Sequence, residues 1–581
     1  MESPEKIWLI KNEPPNASLL AQKLGISRLL ATLLLNRHIG TPDLAKSFLS
    51  PRLGDMNDPF LLKDMDTAVE LIVKGIDQGE KITIYGDYDA DGLTATALMV
   101  DFLSKLNSPV SFYIPHRLEE GYGLSERAIR MIANQGTEIL VTVDCGISSP
   151  SEIALAQGLG MKVVITDHHQ IPLGFQPVCP TINPLRPDSA FPFRDLAGVG
   201  VALYLAIAIR SVLRDKGYFN LNPEPDLRRS LDLVAIGTVA DIVPLVGENR
   251  IFVNKGLRVL MDGTRPGIKA LREVAGIRKN HLLTTHDIAF RLAPRLNALG
   301  RLESAASAVR MLTTERTSEA ESIAKRMDFL NARRQTIESK IALESKEKIE
   351  RMTDLDARRT LVLSDPQWHR GVVGIVASKI VEQYYRPTLI LAAEGELLKG
   401  SGRSIEGFNL YKALAELGDL LVHFGGHHYA AGLSLPARKA REFSERFEAI
   451  ARKRIGPDLL MPRVEVDAAL NLDELTPQLL SDLAMLVPYG YSNPEPLFYA
   501  GPLEVVSSRV VGDSHLKMKV RQKGIIFDCI AFGRAQLHPL NGKTVQLLFH
   551  AGTNTWQGRE SIELTMVDIK MNCEKSHPFP A

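Results

Sequence analysis

Acidic and imidazole side chains follow three short apolar runs of this chain, each at the point where a strand would end. Three stretches carry them: Asp87, Asp89 and Asp91 in KITIYGDYDADG, Asp144 in ILVTVDCG, and Asp167, His168 and His169 in KVVITDHH. Because the carboxyl ends of neighbouring parallel strands face one crevice, we expect these side chains to converge on one point. Carboxylates held that close raise one another's pKa and destabilise the fold unless a cation compensates them.

A divalent metal ion is the counter-charge that this set of side chains favours. Carboxylate oxygens with one or two imidazoles suit Mg²⁺ or Mn²⁺, whereas zinc takes cysteine or a histidine-rich set. The chemistry indicated is two-metal hydrolysis of a phosphate ester. A single aspartate at a strand end is also explained as a turn former or a helix N-cap, and Asp89 or Asp91 is placed to cap a helix beginning near Leu93. Three acids within five residues exceed what capping needs.

Length and composition describe a globular chain of three or four domains. With 581 residues the chain is too long for one core, and its 45% apolar and 24% charged residues predict folded structure throughout. The 69 basic and 68 acidic residues leave a net charge of +1, so a polyanion site must come from local clustering. Four widely spaced cysteines without a CxxC pair argue against a zinc module or a disulfide scaffold and fit a reducing compartment.

The N-terminal sequence MESPEKIWLIKNEPP lacks the basic region followed by an apolar stretch that is typical of a signal peptide. The most apolar run without charge, Leu196 to Ile209, is too short to span a bilayer and is predicted to be a buried helix. We therefore expect a cytoplasmic protein without membrane segments.

The order of apolar patterns predicts an α/β protein in five parts. From residue 61 the chain alternates helical and strand periodicity, which is typical of a mostly parallel, doubly wound sheet. After residue 462, five or six short alternating strands fit a small closed barrel such as an OB-fold. The predicted parts are a helical lead-in packed on the catalytic domain (1–60), the catalytic domain itself (61–312), a long connecting helix (313–357), a second α/β domain (358–461) and the barrel (462–575).

Two further segments bear on the site. LRRSLDLVAIGTVADIVPL places Asp241 at the end of an apolar helix that Pro244 terminates, so another acid is delivered from outside the sheet. The long connecting helix carries interleaved charges of both signs. Its Arg333, Arg334 and Lys340 are interpreted as i,i+4 ion partners rather than as a nucleic-acid track.

Glycine-rich turns of the second α/β domain resemble anion-binding loops. KGSGRS and HFGGHHYAAG combine backbone N–H groups with serine and arginine side chains that can grip phosphate oxygens. Singly such turns are common for backbone reasons, but beside an acidic metal cluster they suggest a substrate clamp. In the barrel, a basic strand region is typical of a single-strand nucleic-acid platform and also of an edge strand that avoids aggregation. Its residues are Arg509, Lys517, Lys519, Arg521 and Lys523, with Phe527 and Phe532 nearby.

In chain order, GDYDADG, VDCGI, TDHH and GTVADIVPL resemble the motifs of the DHH phosphoesterase superfamily. RLAPRLNALGRLESA, WHRGVVGIVASKI, KGSGRS and FGGHHYAAG narrow the resemblance to the RecJ family of bacterial exonucleases specific for single-stranded DNA. The resemblance runs from roughly residue 20 to residue 570. It implies a DHH-type parallel-sheet catalytic domain, a DHH-associated domain and a C-terminal OB-fold.

The resemblance also implies roles for the acids and histidines. Asp144 matches a carboxylate that bridges two metals, and Asp87 matches either a ligand or a group behind the ligands, because other superfamily branches carry a ligand histidine where this chain has Tyr85. His169 matches the residue facing the scissile phosphate, where it could stabilise charge or protonate the leaving group. A buried histidine behind the ligands is its competing role. The matched metal ligands are Asp89, Asp91, Asp144, His168 and Asp241.

Substrate-binding roles follow from the same resemblance. Ser401 and Arg403 match residues that hold a 5′ phosphate, and Arg117 joins them. Three others match groups that line the nucleotide path: Asn297, Arg301 and His427.

The resemblance implies a metal-dependent 5′→3′ single-stranded DNA exonuclease that releases mononucleotides with two Mg²⁺ or Mn²⁺ ions per site, in recombination and repair. It also implies a monomer that works with single-strand-binding protein and a RecQ-type helicase. One alternative is a small-substrate relative that cleaves oligoribonucleotides or pyrophosphate, for which the barrel and lead-in would have no purpose. Another is a catalytically silent single-strand-binding replication factor, against which the occupied ligand positions argue.

Overall fold

The computed structural model describes residues 5–117, 119–556 and 559–571, without the side chains of residues 556–559. One of the four cysteines, Cys573, lies outside these ranges, as do residues 572–575 of the predicted barrel. The described chain divides into two compact units. A sheet unit contains residues 5–7, 58–241 and 256–462, and a barrel unit contains residues 8–57, 242–255 and those from 463 onward.

The N-terminal segment is mainly helical, as the sequence predicts. Ser27 caps its second helix by accepting a hydrogen bond from the Leu30 backbone N–H, and Thr41 caps the third, whose first residue is Pro42. A short strand before the helices was not predicted. The elements are β1 (Ile7–Ile10), α1 (Ala17–Leu24), α2 (Arg28–Asn36) and α3 (Pro42–Leu49).

The first sheet is five-stranded and entirely parallel, which confirms the predicted fold class. Its strand order is β3-β2-β4-β5-β6, with β2 and β4 buried along their whole length. Burial on both faces explains why these strands are continuously apolar in sequence. The elements are α4 (Met65–Gln78), β2 (Ile82–Gly86), α5 (Ala90–Ser104), β3 (Val110–Tyr113), α6 (Glu126–Asn134), β4 (Ile139–Val143), α7 (Pro150–Gly158), β5 (Lys162–Thr166) and β6 (Thr181–Ile182).

Helices follow the sheet and end in one helix of 34 residues, where the long connecting helix was predicted. Two of its predicted i,i+4 ion pairs form, between Arg334 and Glu338 and between Lys340 and Glu344. The elements are α8 (Gly198–Asp215), α9 (Leu231–Ala240), α10 (Gly247–Asp262), α11 (Pro266–Val274), α12 (Thr285–Asp287), α13 (Ala293–Leu302), α14 (Ala306–Thr313) and α15 (Thr317–Glu350).

The second sheet has the order β10-β11-β9-β8-β7 and is mixed, since only β7 and β8 run parallel. One of its faces packs on Phe443 and Phe447, which lie in the helix that follows the sheet. The elements are β7 (Leu361–Asp365), α16 (Val373–Tyr384), β8 (Thr388–Glu394), β9 (Leu397–Arg403), α17 (Leu410–Ala415), β10 (His423–Gly426), β11 (Ala430–Pro436) and α18 (Ala440–Arg454).

The C-terminal strands close into a barrel in the order β14-β15-β16-β18-β17, with β17 pairing back to β14. The predicted barrel is therefore confirmed. The stretch RVEV was assigned to the barrel but forms a separate two-stranded sheet with β1. The elements are β12 (Arg463–Val466), β13 (Ala468–Ala469), α19 (Pro477–Met485), β14 (Phe498–Val511), β15 (His515–Gln522), β16 (Ile525–Ala531), β17 (Thr544–Trp556) and β18 (Arg559–Met571).

The lead-in shares its core with the barrel. Leu33 and Leu34 of α2 lie in one apolar cluster with Leu483 of α19 and Phe498 of β14. The expectation that residues 1–60 pack on the catalytic domain is therefore corrected for residues 8–57, which belong to the barrel unit. Helical spacing shows that one face of α2 must be buried but carries no information on its partner.

Among the described residues, no single helix is both long enough and apolar enough to cross a membrane. Only α1 and α2 taken together reach that length and composition, and the two are bent by 115°.

Candidate active site

Three strand ends of the first sheet deliver their acids to one place, as the sequence predicts. Asp87 follows β2, Asp144 follows β4 and His168 lies two residues after β5. The Nε2 atom of His168 lies 3.0 Å from Oδ1 of Asp144, 3.6 Å from Oδ2 of Asp241 and 3.9 Å from Oδ2 of Asp91. We call this group the acidic crevice: Asp87, Asp89, Asp91, Asp144, His168 and Asp241.

Potential ligand atoms fall into two sets. One set is Asp91, His168 and Asp241, the other is Asp87, Asp89 and Asp144, and within each set the atoms lie within 4.8 Å of one another. A third overlapping set joins Asp144 to both histidines. Asp144 thus belongs to two of the three sets, and its Oδ1 lies 3.0 Å from Nε2 of His168 in the remaining one.

Buried polar atoms without a partner show that the residues fit metal ions. Asp87 Oδ1, Asp144 Oδ1 and His168 Nε2 are buried and, among the described residues, receive no hydrogen bond. An unsatisfied buried polar atom costs folding free energy, and three of them converge here. Oxygen-rich ligands with one imidazole match Mg²⁺ or Mn²⁺.

The protonation equilibria reflect crowded negative charge. Burial, then the neighbouring carboxylates, raise the pKa of Asp144 well above its ordinary value, and they raise the pKa of Asp91 to about 7 and that of Asp241 to about 9. Burial lowers the pKa of His168 to about 4, which keeps the imidazole neutral as a ligand must be. A bound cation would reverse the cost of ionising these acids.

Two helix N-termini fix the acids of GDYDADG. Asp89 caps α5 by accepting hydrogen bonds from the N–H groups of Asp91 and Gly92, at 3.0 and 3.1 Å. Asp91 in turn accepts from Gly198 and Val199 at the start of α8, at 2.6 and 2.9 Å. The capping role considered for Asp89 is therefore present, and it orients the carboxylate that also faces the crevice.

Two glycines that the sequence analysis did not single out let helices approach the carboxylates. A Cβ atom at Gly198 would lie 2.6 Å from the Asp144 side chain, and one at Gly237 would lie 2.6 Å from Oδ1 of Asp91. The only sequence signal for these two contacts is the glycine inside each of the helical patterns LAGVG and AIGTVAD. A glycine at such a position often indicates close packing. Asp144 itself has a left-handed φ of 61°, a backbone strain that is found at functional sites.

His169 is held by Asp167 and by a tyrosine that the sequence analysis missed. Its Nδ1 lies 2.8 Å from Oδ1 of Asp167 and 3.0 Å from the hydroxyl of Tyr122, from the EEGYG loop. Burial alone would lower the pKa of His169, but the hydrogen bond to Asp167 raises it to about 9. With 38% of its side chain exposed, His169 is accessible from solvent.

A cavity of about 1070 Å³ opens beside the acidic crevice, within the sheet unit. Ser401 and Arg403 of β9 line it together with the first residues of α16, and Nη1 of Arg403 donates to Oγ of Ser401 at 2.8 Å. A Cβ atom at Gly374 would lie 3.2 Å from Ser401 Oγ, so a larger residue would crowd this corner. We call this group the basic cleft: Arg117, Arg301, Ser401, Arg403 and the first turn of α16.

The arginines of the basic cleft carry more positive charge than nearby carboxylates balance. Among the described residues, Arg117, Arg301 and Arg403 form no ion pair, although Arg117 lies 4.8 Å from the centre of the Tyr88 ring. Burial and the other arginines lower the pKa of Arg301 to about 9, and burial with Arg117 lowers that of Arg403. A bound phosphate would supply the missing anion.

Two predicted substrate-binding residues, Asn297 and His427, are not among the residues that line the cavity. Asn297 accepts a hydrogen bond from the Ala90 backbone N–H at 2.8 Å. It therefore positions the GDYDADG segment. His427 is exposed in the turn between β10 and β11 and is not among the residues that line the cavity. Arg117, Arg301, Ser401 and Arg403 do line it together.

On the barrel, the predicted basic residues alternate with buried ones and share its outer face. Lys517 pairs with Glu563 at 2.9 Å and Arg521 pairs with Glu504 at 2.7 Å. Lys519 is exposed. Two of the three predicted nucleic-acid contacts are therefore compensated by acids of the barrel itself.

Three protein-family models match the chain. Residues 81–238 match the DHH family N-terminal domain, residues 358–453 the DHHA1 domain and residues 466–568 the RecJ OB domain. The acidic crevice lies almost wholly in the first match, with Asp241 just beyond it, while Ser401 and Arg403 lie in the second.

Similar proteins agree with these matches. The chain is 39% identical to the single-stranded-DNA-specific exonuclease RecJ of Bacillus subtilis, over 95% of this chain and 69% of that protein. It is 40% identical to the exonuclease of the same name from Escherichia coli, over 87% of this chain and 90% of that protein.

A solved structure of RecJ from Thermus thermophilus in complex with Mn²⁺ is 32% identical, with a TM-score of 0.82, and covers 98% of this chain and 80% of that chain. A second structure of the same protein, in complex with Mg²⁺, has a TM-score of 0.77 and covers 79% of that chain.

Proposed function

This chain belongs to the RecJ family, and we propose that it is a metal-dependent 5′→3′ exonuclease specific for single-stranded DNA. The observation that carries the proposal is one compact unit with two adjoining charged sites of opposite sign. The acidic crevice has an excess of carboxylates, and the basic cleft has an excess of guanidinium groups. A terminal nucleotide at this junction would meet metal ions at its scissile bond and arginines at its end phosphate.

We assign two divalent ions to the acidic crevice, whose carboxylates and His168 would hold them. When bound, the metals lower the pKa of the attacking water and neutralise charge on the scissile phosphate. Asp89 and Asp91 are kept in orientation by their helix caps, and His168 binds as neutral imidazole. His169, braced by Asp167, faces the leaving oxygen and can supply its proton. Asp87 completes the ligands on the β2 side.

The basic cleft gives the reaction its direction. Ser401, Arg403 and the N-terminus of α16 offer donors for a terminal phosphate, and Arg117 and Arg301 add positive charge. A strand anchored by its 5′ phosphate presents its first phosphodiester to the crevice. Hydrolysis there releases a mononucleotide and leaves a new 5′ phosphate for the next cycle.

The family resemblance supports the remaining assignments. The protein acts in DNA recombination and repair as a cytoplasmic monomer, with single-strand-binding protein and a RecQ-type helicase as partners. The barrel binds single-stranded DNA through the outer face that carries Lys519.

The two alternative functions lack a supporting observation. A small-substrate phosphoesterase has no use for the barrel unit. A catalytically silent binding protein would not need six competent side chains with their ligand atoms turned toward one another.

The test is a time course on a single strand with a 3′ label, with Mn²⁺ and then with chelator. We expect progressive shortening of the labelled strand, accumulation of mononucleotides and complete arrest by chelator. Duplex DNA of the same sequence should resist. Release of the 3′ label in the first turnover would contradict the direction, and equal cleavage of duplex would contradict the specificity.

A further inference from the structure

The floor of the basic cleft contains a second polar row that a single terminal phosphate leaves unused. The strand registers place Ser401 opposite Gly432 and Gly432 opposite Gly425, so the phosphate-binding serine has two glycines beside it. The next row on the same face is Lys399, Ser434 and His423. All six residues line the same cavity.

The two rows are separated by a distance that suits a chain of phosphates. Residues two apart on a strand point to the same face and lie about 7 Å from each other, given a rise of roughly 3.3 Å per residue. A linear triphosphate that begins at Ser401 reaches the second row with its last phosphate. The glycines of the first row leave space above the sheet for that path.

The second row offers hydrogen-bond donors whose geometry is already built. Ser434 is only 7% exposed and lines the cavity. Lys399 reaches the cavity with its Nζ 2.9 Å from Oε1 of Glu394, and Arg370, which also lines the cavity, pairs with the same carboxylate. Glu394 therefore holds two cations at the cleft wall, and the pair of cations exceeds the single acid.

We propose that Lys399, Ser434 and His423, with Arg370, form a subsite for the outer phosphates of a 5′-polyphosphorylated strand. The proposal rests on the proposed function, because it extends the site that holds the 5′ end. The ligand class is a single strand that ends in a 5′ diphosphate or triphosphate.

The reaction on such an end is the same hydrolysis with a different first product. The oxygen of water bonds to the phosphorus of the second nucleotide, and the bond from that phosphorus to the 3′ oxygen of the first nucleotide breaks. The 3′ oxygen takes a proton, and a nucleoside 5′-triphosphate leaves. The remaining strand carries a 5′ monophosphate and is degraded to monophosphates thereafter.

The experiment compares strands of one sequence with a 5′ triphosphate and with a 5′ monophosphate, using the full chain and Mn²⁺. We expect kcat/KM for the two ends to agree within about threefold in the unmodified protein. The first nucleotide released from the triphosphate strand should be a nucleoside triphosphate, identified by chromatography.

Two substitutions should shift the triphosphate-to-monophosphate ratio of kcat/KM in opposite directions. Lys399→Met removes a charge-assisted contact and should lower the ratio about tenfold, since bonds to charged groups are the strong ones. Glu394→Gln frees Lys399 and Arg370 from their counter-ion and should raise it. Lys412→Met, an exposed lysine of the same domain, is the control and should leave the ratio unchanged.

Different outcomes would refute the proposed exonuclease function and the polyphosphate subsite. If the monophosphate strand is not shortened from its 5′ end, the proposed function fails and this subsite with it. If that strand is degraded while the triphosphate strand resists, or if neither substitution moves the ratio, only the subsite fails. A dinucleotide as first product from the monophosphate strand would show instead that the second row receives an upstream phosphodiester.

Discussion

The acidic crevice and the basic cleft adjoin each other in one compact unit and show the same electrostatic imbalance with opposite signs. In the crevice, burial and like charges raise the pKa values of Asp144 and Asp241. In the cleft, burial and like charges lower those of Arg301 and Arg403. Carboxylates outnumber the cationic groups of the crevice, and among the described residues the arginines of the cleft form no ion pair. We therefore propose that ligands supply the missing charge, cations in one site and phosphate in the other.

In the barrel, by contrast, most of the predicted nucleic-acid-binding basic residues form ion pairs with acids of the same domain. Lys517 and Arg521 pair with acids of neighbouring strands, at 2.9 and 2.7 Å. Exposed ion pairs contribute little free energy, and pairing reduces the field that a polyanion meets. A charge substitution should therefore have its largest effect in the crevice, a smaller effect in the cleft and the smallest effect in the barrel.

The largest effect is expected from Asp144→Ala. The bridging carboxylate organises both metals but touches little substrate, so hydrolysis should fall at least about a thousandfold while strand binding changes little. Asp215→Ala, an exposed acid at the end of α8, is the control and should retain full activity. Steady-state kinetics in saturating Mn²⁺ and a binding titration measure the two quantities. Activity above about a tenth of the original would refute the shared-carboxylate geometry.

In the cleft, Arg403→Ala should reduce the preference for a 5′-phosphorylated strand over a 5′-hydroxyl strand. The lost guanidinium–phosphate bond is worth roughly 1.5–3 kcal/mol, or about a tenfold to hundredfold change in relative kcat/KM. Arg438→Ala, at an exposed position of the same domain, serves as the matched control. A preference for phosphate that survives Arg403→Ala at full strength would place the end-binding site elsewhere.

Asp241→Asn should stabilise the metal-free protein while abolishing metal-dependent turnover. Its folded pKa of about 9 exceeds the unfolded value near 3.9, so the stability that this carboxyl contributes is present below about pH 4 and lost as pH rises toward 9. In chelator at pH 8, the free energy of unfolding should rise by more than about 1.4 kcal/mol, the equivalent of one pKa unit. Urea denaturation measures it.

The gain from Asp241→Asn should shrink as the pH is lowered toward 4, because both side chains are then neutral. A gain that is independent of pH would show that repulsion among the carboxylates is not the cause. Excess Mn²⁺ should stabilise the unmodified protein more than the variant.

The smallest effect is expected in the barrel. Lys519→Ala should weaken binding of a long strand about two- to threefold and reduce the slope of affinity against salt concentration by about one ion. Lys23→Ala, on an exposed position of α1 in the same unit, is the control. If Lys517→Ala has a larger effect than Lys519→Ala, then the ion pair with Glu563 does not shield the barrel from nucleic acid.

The acidic crevice could be predicted from the sequence because most of its acids lie in short motifs at strand ends, and Asp241 lies at the end of an apolar helix. Parallel pairing of β2, β4 and β5 then brings Asp87, Asp144 and His168 together without further information. The basic cleft was predicted less completely. Tyr122 comes from a loop, and its contact with His169 depends on a fold of that loop that no periodicity encodes.

Long-range packing was the part that sequence patterns could not give. The amphipathic spacing of α2 predicted a buried face, but only the structure shows that the face meets α19 and the barrel. Asn297 was assigned to the nucleotide path, and its hydrogen bond to Ala90 depends on an approach of α13 to α5 that is not local in sequence. Motifs thus located the chemistry, while the residues that support it came from tertiary contacts.

The most direct test of the two oppositely charged sites is a crystal structure with Mn²⁺ and a single strand that carries a 5′ phosphate and a non-hydrolysable first linkage. Anomalous scattering distinguishes manganese from water and from lighter ions. We expect two manganese peaks that share Asp144, one also held by Asp91, His168 and Asp241, with the terminal phosphate on Ser401 and Arg403. A single peak away from Asp144, or a strand whose 3′ end occupies the basic cleft, would contradict it.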